Sequence, residues 1–244
     1  MLANINPHPR DKDISFIDEG HIYIVKGKTN FTSVTTLVKK LFEIFNSDKI
    51  IDNMMKSPNW ENNKYFGMDK NEIKEIWNKS GTEAALEGTK MHSMFENYYN
   101  GLEIENKTTI EYSQFINFVN EHNTLVPYRT EWTIWDQDKR LTGSIDMVFI
   151  NDDGTLSIYD WKRSKTIDKI PKFNKFSKIE LINHVPDTNY WHYCIQLNLY
   201  KYIIEKNYGF KVKELFLVQI HPDINNYKKI SVPFMEEEIK NILI

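Results

Sequence analysis

Residues 141–162 constrain the fold of this chain more tightly than any other stretch. Two strand-like segments, 141–150 and 155–162, are separated by Asn151-Asp152-Asp153-Gly154. Three-residue hairpin loops commonly end on a glycine in the left-handed region, and Asp152-Asp153-Gly154 fits that loop, with Asn151 and Thr155 closing it. Counting back in register sets Asp146 opposite Asp160, about 5 Å away on one face. Lys162, two residues on, shares that face. Residues 131–136 are rich in strand formers, and a four-residue connection from Gln137 to Arg140 pairs Asp136 with Leu141. The same register brings Glu131 opposite Asp146, so three acids lie side by side across three strands.

Like charges facing each other across a sheet are destabilising, and a bound cation is the simplest reason to tolerate them. Two carboxylates and a lysine at a strand end are also what a divalent metal and an attacking water need. The patch therefore reads as a metal-dependent phosphodiesterase site. The bare pattern acid-x-Lys is common and recurs at Glu72-Ile-Lys74, Glu105-Asn-Lys107 and Glu238-Ile-Lys240. Two of these lie in helical patterns and the middle one in a polar loop. Only the Asp160 copy ends a strand with another acid opposite. The competing reading is an exposed hairpin with a solvated polar end.

The remaining sequence bounds the class. With 244 residues, 41% hydrophobic and 14% aromatic, the chain can bury a sizeable core. No apolar run reaches membrane-span length, and the first residues carry no signal-peptide stretch, so a soluble intracellular protein with no membrane partner is expected. The single cysteine, Cys194, argues against an iron–sulfur cluster or a four-cysteine zinc site within one chain. The Ile, Asn and Lys content fits an AT-rich genome of viral or phage kind. The net charge of −3 does not announce a nucleic-acid binder. Its distribution is more telling: Lys162, Arg163, Lys165, Lys169, Lys172, Lys175 and Lys178 face one acid, Asp168, with Phe173 and Phe176 interleaved. Basic side chains neutralise phosphates and aromatic faces stack on bases, although most such runs are solvated loops. Arg163, Lys165, Lys172 and Lys175 are the candidate substrate contacts.

Helix and strand signals organise the rest. A small hairpin turns near Glu19-Gly20, a capped helix begins near Thr32-Ser33, and short helical stretches fill residues 46–79. Residues 1–79 are expected to form a hairpin and mostly helical lobe packed on a core at 80–244. The periodicity predicts helices over 80–99, with Ser80 as cap and Glu83 as its capping-box acid, over 110–122 and over 189–206. Later strands are expected at 214–220 and 229–234. This order suggests an α/β protein with a mixed β-sheet flanked by α-helices.

The motifs together resemble the PD-(D/E)xK nuclease superfamily, and within it the RecB-like nucleases. Gly143-Ser-Ile-Asp146 is similar to the RecB-type first acidic motif, with Ile145 where many relatives have proline. Asp160-Trp-Lys162 is similar to the (D/E)xK motif. Gly88-Thr-Lys-Met-His92 with Glu96 resembles the helix that supplies a histidine ligand. Gln196-Leu-Asn-Leu-Tyr200 resembles the Q-x-x-x-Y motif. The Gly-Thr-x-x-His helix is similar to that of the mitochondrial genome maintenance exonucleases and related phage and viral exonucleases. The resemblance implies a restriction-endonuclease-like fold and makes His92 a metal ligand, with Gln196 beside the site and Tyr200 near substrate. Spacing alone puts His92 and Glu96 on one helix face, and likewise His192, Gln196 and Tyr200. Glu96 fits a role orienting His92, and His192 reads as structural.

The expected chemistry follows. Oxygen-rich sites suit Mg²⁺ or Mn²⁺. Asp146 and Asp160, the Trp161 carbonyl and His92 would hold it, with Glu131 direct or through water. Lys162 would orient or help deprotonate the attacking water. The expected partner is DNA, single-stranded or with ends, in repair or replication. A sequence- or structure-specific endonuclease and a non-catalytic nucleic-acid-binding module are the alternatives.

Overall fold

A computed structural model describes residues 1–171 and 173–244. The chain divides into two compact units, one of residues 1–43 and 91–244 and one of residues 44–90, which cuts across the expected boundary at residue 79. In the first unit α1 (Leu2–Ile5) is followed by an antiparallel pair, β1 (Ile14–Ile17) and β2 (Ile22–Val25). Asp11, between α1 and β1, accepts hydrogen bonds from Arg129 and from the Trp132 indole, at 2.7 and 3.0 Å. Those bonds tie the N-terminal residues to the sheet and explain why they group with it.

The main sheet is mixed. Its long strands are β4 (Val126–Asp136), β5 (Leu141–Ile150), β6 (Leu156–Arg163) and β7 (Val212–Ile220), with a short β8 (Lys228–Ser231) at one edge. β4, β5 and β6 form an antiparallel meander, β7 runs parallel to β6, and β8 returns antiparallel to β7. Parallel strands need a long crossover; here it is the loop after β6 followed by α6 (Asn189–Asn207). The turn after β5 matches the expected loop: the Asn151 amide donates to the Thr155 carbonyl, and Gly154 has φ +78°. A side chain at that angle would meet its own carbonyl.

β3 (Thr32–Ser33) pairs in parallel with Leu141 and Thr142. β4 occupies one edge of β5 throughout, so β3 and β6 share the other. The β5–β6 ladder runs from Ile150/Leu156 only as far as Met147/Tyr159. Residues 143–146 therefore border a fork between β5 and β6. Ser33 opens α2 (Val34–Lys40), accepting from the Thr36 amide, so the helix start expected near Thr32-Ser33 is a two-residue strand and then a cap.

Two apolar clusters cover opposite faces. One combines α2, α6 and α7 (Glu236–Ile242) with Ile158, Leu156 and Val148. The other packs Met91 and Phe95 of α4 (Lys70–Tyr99) and Phe115 and Phe118 of α5 (Ile110–Glu121) on Met147, Phe149, Tyr159 and Trp161. Among the described residues no helix is long and apolar enough to cross a membrane.

In the second unit α3 (Ser47–Met55) carries Asp48, which pairs with Lys70 and Lys74 at 3.0 and 2.6 Å. The helix expected from Ser80 begins ten residues earlier. Asp69 accepts from the Glu72 amide and Glu72 accepts from the Asp69 amide, at 3.0 and 2.7 Å. This reciprocal capping box outcompetes Ser80, which becomes an interior residue. Asp69→Ala is expected to lower stability by about 1 kcal/mol; an unchanged urea midpoint would show that the cap contributes nothing.

Candidate functional site

The acids meet at the fork. The β4–β5 register holds on both sides of Glu131 and Asp146, with Trp132 opposite Ile145 and Thr130 opposite Met147, yet these two do not pair in the ladder. Glu131 has φ +41°, an uncommon conformation for a non-glycine residue inside a strand. The faces change there too. Ile145 sits in the cluster under α6, whereas Met147 and Phe149 sit in the opposite cluster. Simple alternation would put all three on one face. Asp146 thus stands where β5 changes faces, and backbone strain of this kind concentrates at functional sites.

His92, Glu131 and Asp146 each bring one ligand-type atom into a group whose members lie within 4.8 Å of one another. The His92 Nδ1 is 3.6 Å from Asp146 Oδ2 and 3.8 Å from Glu131 Oε1. The His92 and Glu131 side chains keep 30% and 35% of their surface open, so the group is reachable from solvent. Ser144 donates to Glu131 Oε2 at 2.9 Å and the Trp161 amide donates to Asp146 Oδ2 at 2.8 Å. Each carboxylate is oriented by a neighbour one strand away.

Asp160 lies beside this group and outside it. Gln196 of α6 donates to Asp160 Oδ1 at 3.0 Å. Lys162 Nζ is 2.5 Å from Asp160 Oδ2. Apart from that charge pair, Oδ2 is a buried oxygen with no further partner among the described residues. The alternation of β6 explains the split: Asp160 and Lys162 face α6, and Trp161 between them packs on Phe95, Phe115 and Phe118.

The electrostatics follow from crowding. Burial, then the charge of Asp160, pushes the Asp146 carboxyl up to about 7. Burial opposes charge on His92, but Asp146 and Glu131 outweigh it and hold the imidazole near about 9. Burial likewise opposes charge on Lys162, and Asp160 and Asp146 overcome it, so its pKa lies above the ordinary lysine value. Burial and the Glu131 charge raise Glu96. Two oxygens and an imidazole nitrogen are a donor set for a hard or borderline divalent cation. A bound cation would offset the crowded negative charge. Asp160 Oδ2, which faces Lys162, is a further acceptor. The residues fit a divalent metal.

The family model described as the PD-(D/E)XK nuclease superfamily matches residues 69–241. The chain belongs to that superfamily. No curated protein matches the sequence. Among solved structures, SSO0001 is similar at 14% identity over 88% of this chain and 73% of its own, with a TM-score of 0.36. A candidate exonuclease from Eubacterium rectale is similar at 14% identity over 63% of this chain and 60% of its own, with a TM-score of 0.38. Neither likeness carries weight for function. The mixed sheet flanked by helices is consistent with a restriction-endonuclease-like fold. Nucleases of this superfamily generally use divalent metals, which agrees with the group at the fork.

The other described residues expected at the site lie outside this group. Arg163 donates to Glu111 of α5 at 2.9 Å, and both side chains are largely buried. Lys165 pairs with Asp223 at the surface, at 3.0 Å. Lys175 is exposed and lines a cavity of about 280 Å³ with Phe173, Asp187 and Asn189. Lys172 lies outside the described residues. Among the described residues Glu96 makes no hydrogen bond to His92; its electrostatic neighbour is Glu131. Tyr200 is 2% exposed and does not open to a substrate surface. Its hydroxyl accepts from Gln196 at 3.2 Å, so it braces the residue that braces Asp160. His192 contacts Asp187 at 2.8 Å and Phe42.

Two neighbours of the acids escape sequence reasoning. Tyr23 of β2 is buried, and burial followed by the Glu131 and Asp146 charges raises its phenol to about 12. A hairpin over a hundred residues away gives no local signal of that proximity. Tyr193 lies beside Lys162, and its spacing to Gln196 and Tyr200 on α6 was available to find it.

Gly143 explains part of the first motif. A Cβ built there would stand 2.4 Å from Tyr200 Cε1. Gly143→Ala is expected to displace Tyr200 and cost about 1–3 kcal/mol of stability by overpacking. An unaltered denaturation midpoint would show that the ring has room to move.

Proposed function

We propose that this chain is a Mg²⁺- or Mn²⁺-dependent deoxyribonuclease, of exonuclease type, acting on single-stranded or end-containing DNA. The observation that carries the reading is the convergence of His92, Glu131 and Asp146 within 4.8 Å beside the Asp160–Lys162 pair. The preference for an exonuclease rests on resemblance, since the His92 helix and the Gln196 motif are similar to those of the RecB-like branch.

When bound, a divalent cation activates water and stabilises charge developing on the scissile phosphate. His92, Glu131 and Asp146 would hold it, with Asp160 Oδ2 and the Trp161 carbonyl as further donors. Within an extended strand the N–H and C=O of one residue point to the same side. The Trp161 carbonyl therefore shares the side on which its amide reaches Asp146. Lys162 stays protonated between its carboxylates, so its part is to orient the attacking water and offset phosphate charge. Gln196 keeps Asp160 aimed across the fork. Of the candidate contacts among the described residues, Lys165 and Lys175 are exposed and suited to the DNA backbone.

The test is digestion of end-labelled linear and circular DNA. Wild type should shorten linear strands only with Mg²⁺ or Mn²⁺, and EDTA should stop it. Asp146→Asn and Lys162→Ala should each reduce the rate about a hundred-fold or more. Full activity in either variant would refute the assignment, and cleavage of circles would favour an endonuclease. Binding should also be visible without turnover. Excess Mn²⁺ should raise the Tm of wild type by ligand linkage and leave the Tm of Asp146→Asn nearly unmoved; equal rises in both would exclude Asp146 as a ligand.

A further inference from the structure

One face of α6 serves the whole Asp160–Lys162 pair. Tyr193, Gln196 and Tyr200 are spaced three and four residues apart, one helical turn each. Gln196 holds one Asp160 oxygen, and Tyr200 holds Gln196. Tyr193 addresses the lysine: its ring centroid is 4.5 Å from Lys162 Nζ. That distance is within the range of a cation–aromatic contact, which strengthens where the charge is shielded from water. The Lys162 side chain is 17% exposed. Its flexible four-carbon stem leaves the ammonium free to adopt many positions unless something restrains it. The restraints seen are Asp160 on one side and the Tyr193 ring on the other.

We propose that Tyr193 is a positioning residue that fixes the Lys162 ammonium through its ring face. The proposal rests on the reading of Lys162 as the group that orients the attacking water. It assigns no role to the phenol hydroxyl, which makes no hydrogen bond among the described residues. Gln196 and Tyr193 then divide the work on α6, one fixing the acid and one fixing the lysine of the same motif. A ring stacking on a DNA base from this position is the competing role, and it would act on binding.

The experiment compares wild type, Tyr193→Phe, Tyr193→Leu, Tyr193→Met and Lys162→Ala on end-labelled single-stranded DNA with Mg²⁺. Tyr193→Phe keeps a ring and should stay within about two-fold of wild type, whereas Tyr193→Leu and Tyr193→Met should lose roughly ten-fold in kcat with KM nearly constant. The methionine variant preserves bulk, so a fold defect in the leucine variant leaves the test intact. The Mn²⁺-induced Tm shift should persist in all three Tyr193 variants. Adding Tyr193→Leu to Lys162→Ala should not slow the residual rate further, because the ring acts only through the lysine. A change confined to KM, a further loss in the double variant, or equal impairment of Tyr193→Phe would overturn the proposal. Wild-type rates in Tyr193→Leu with an inactive Lys162→Ala would refute it alone. Wild-type rates in Lys162→Ala would instead refute the function on which it rests.

Discussion

Two carboxylates, Asp146 and Asp160, are held close together at the base of a fork where little water reaches them, and their mutual repulsion organises the surrounding structure. Asp146 takes a backbone amide from Trp161 and faces His92; Asp160 takes the Gln196 amide and the Lys162 ammonium. Each partner arrives from a different element: α4 on one side of the sheet, α6 on the other, and β6 between them. Burying like charges without compensation costs several kcal/mol per ion. The convergence of donors and cations on this one place is the compensation. The strained Glu131 adds a third acid and increases the demand for positive charge.

The parts that were legible in the sequence are those fixed by local geometry. The hairpin register came from a short loop with glycine in its last place, and Met147 does pair with Tyr159 as counting back from that loop requires. The β4–β5 register likewise follows from Asp136 opposite Leu141. Such connections leave the chain few ways to close, so a few residues determine many. The expectation of a continuous row of three acids matches only the register of the flanking residues, since neither Glu131–Asp146 nor Asp146–Asp160 is a ladder pair. It did not anticipate that the ladder breaks at Glu131 and Asp146, because nothing in residue order marks a left-handed conformation at glutamate.

What stayed hidden depends on contacts distant in sequence. Arg163 belongs to a basic run, and only the placement of α5 shows that Glu111 already holds it. Tyr200 is spaced like a site residue, and only packing under Gly143 shows that it is a buried brace. The α4 start was misplaced for another reason: Ser80 and Asp69 both head capping boxes, and the periodic apolar residues Ile73 and Ile76 favour the earlier one. The N-terminal residues join the sheet through Asp11, bonded to Arg129 and Trp132, more than a hundred residues along the chain.

Trp161 occupies the unspecified middle position of the Asp-x-Lys motif. Its ring contacts Phe95 at 5.3 Å between centroids, and Phe95 lies three residues beyond His92 on the same helix. The acid and lysine therefore share a backbone with an anchor that reaches through the sheet to the histidine's own support. In this chain the middle letter of the motif is a buried packing position. A smaller side chain there would leave every proposed ligand in place by name, yet loosen the distance between the two faces that carry them.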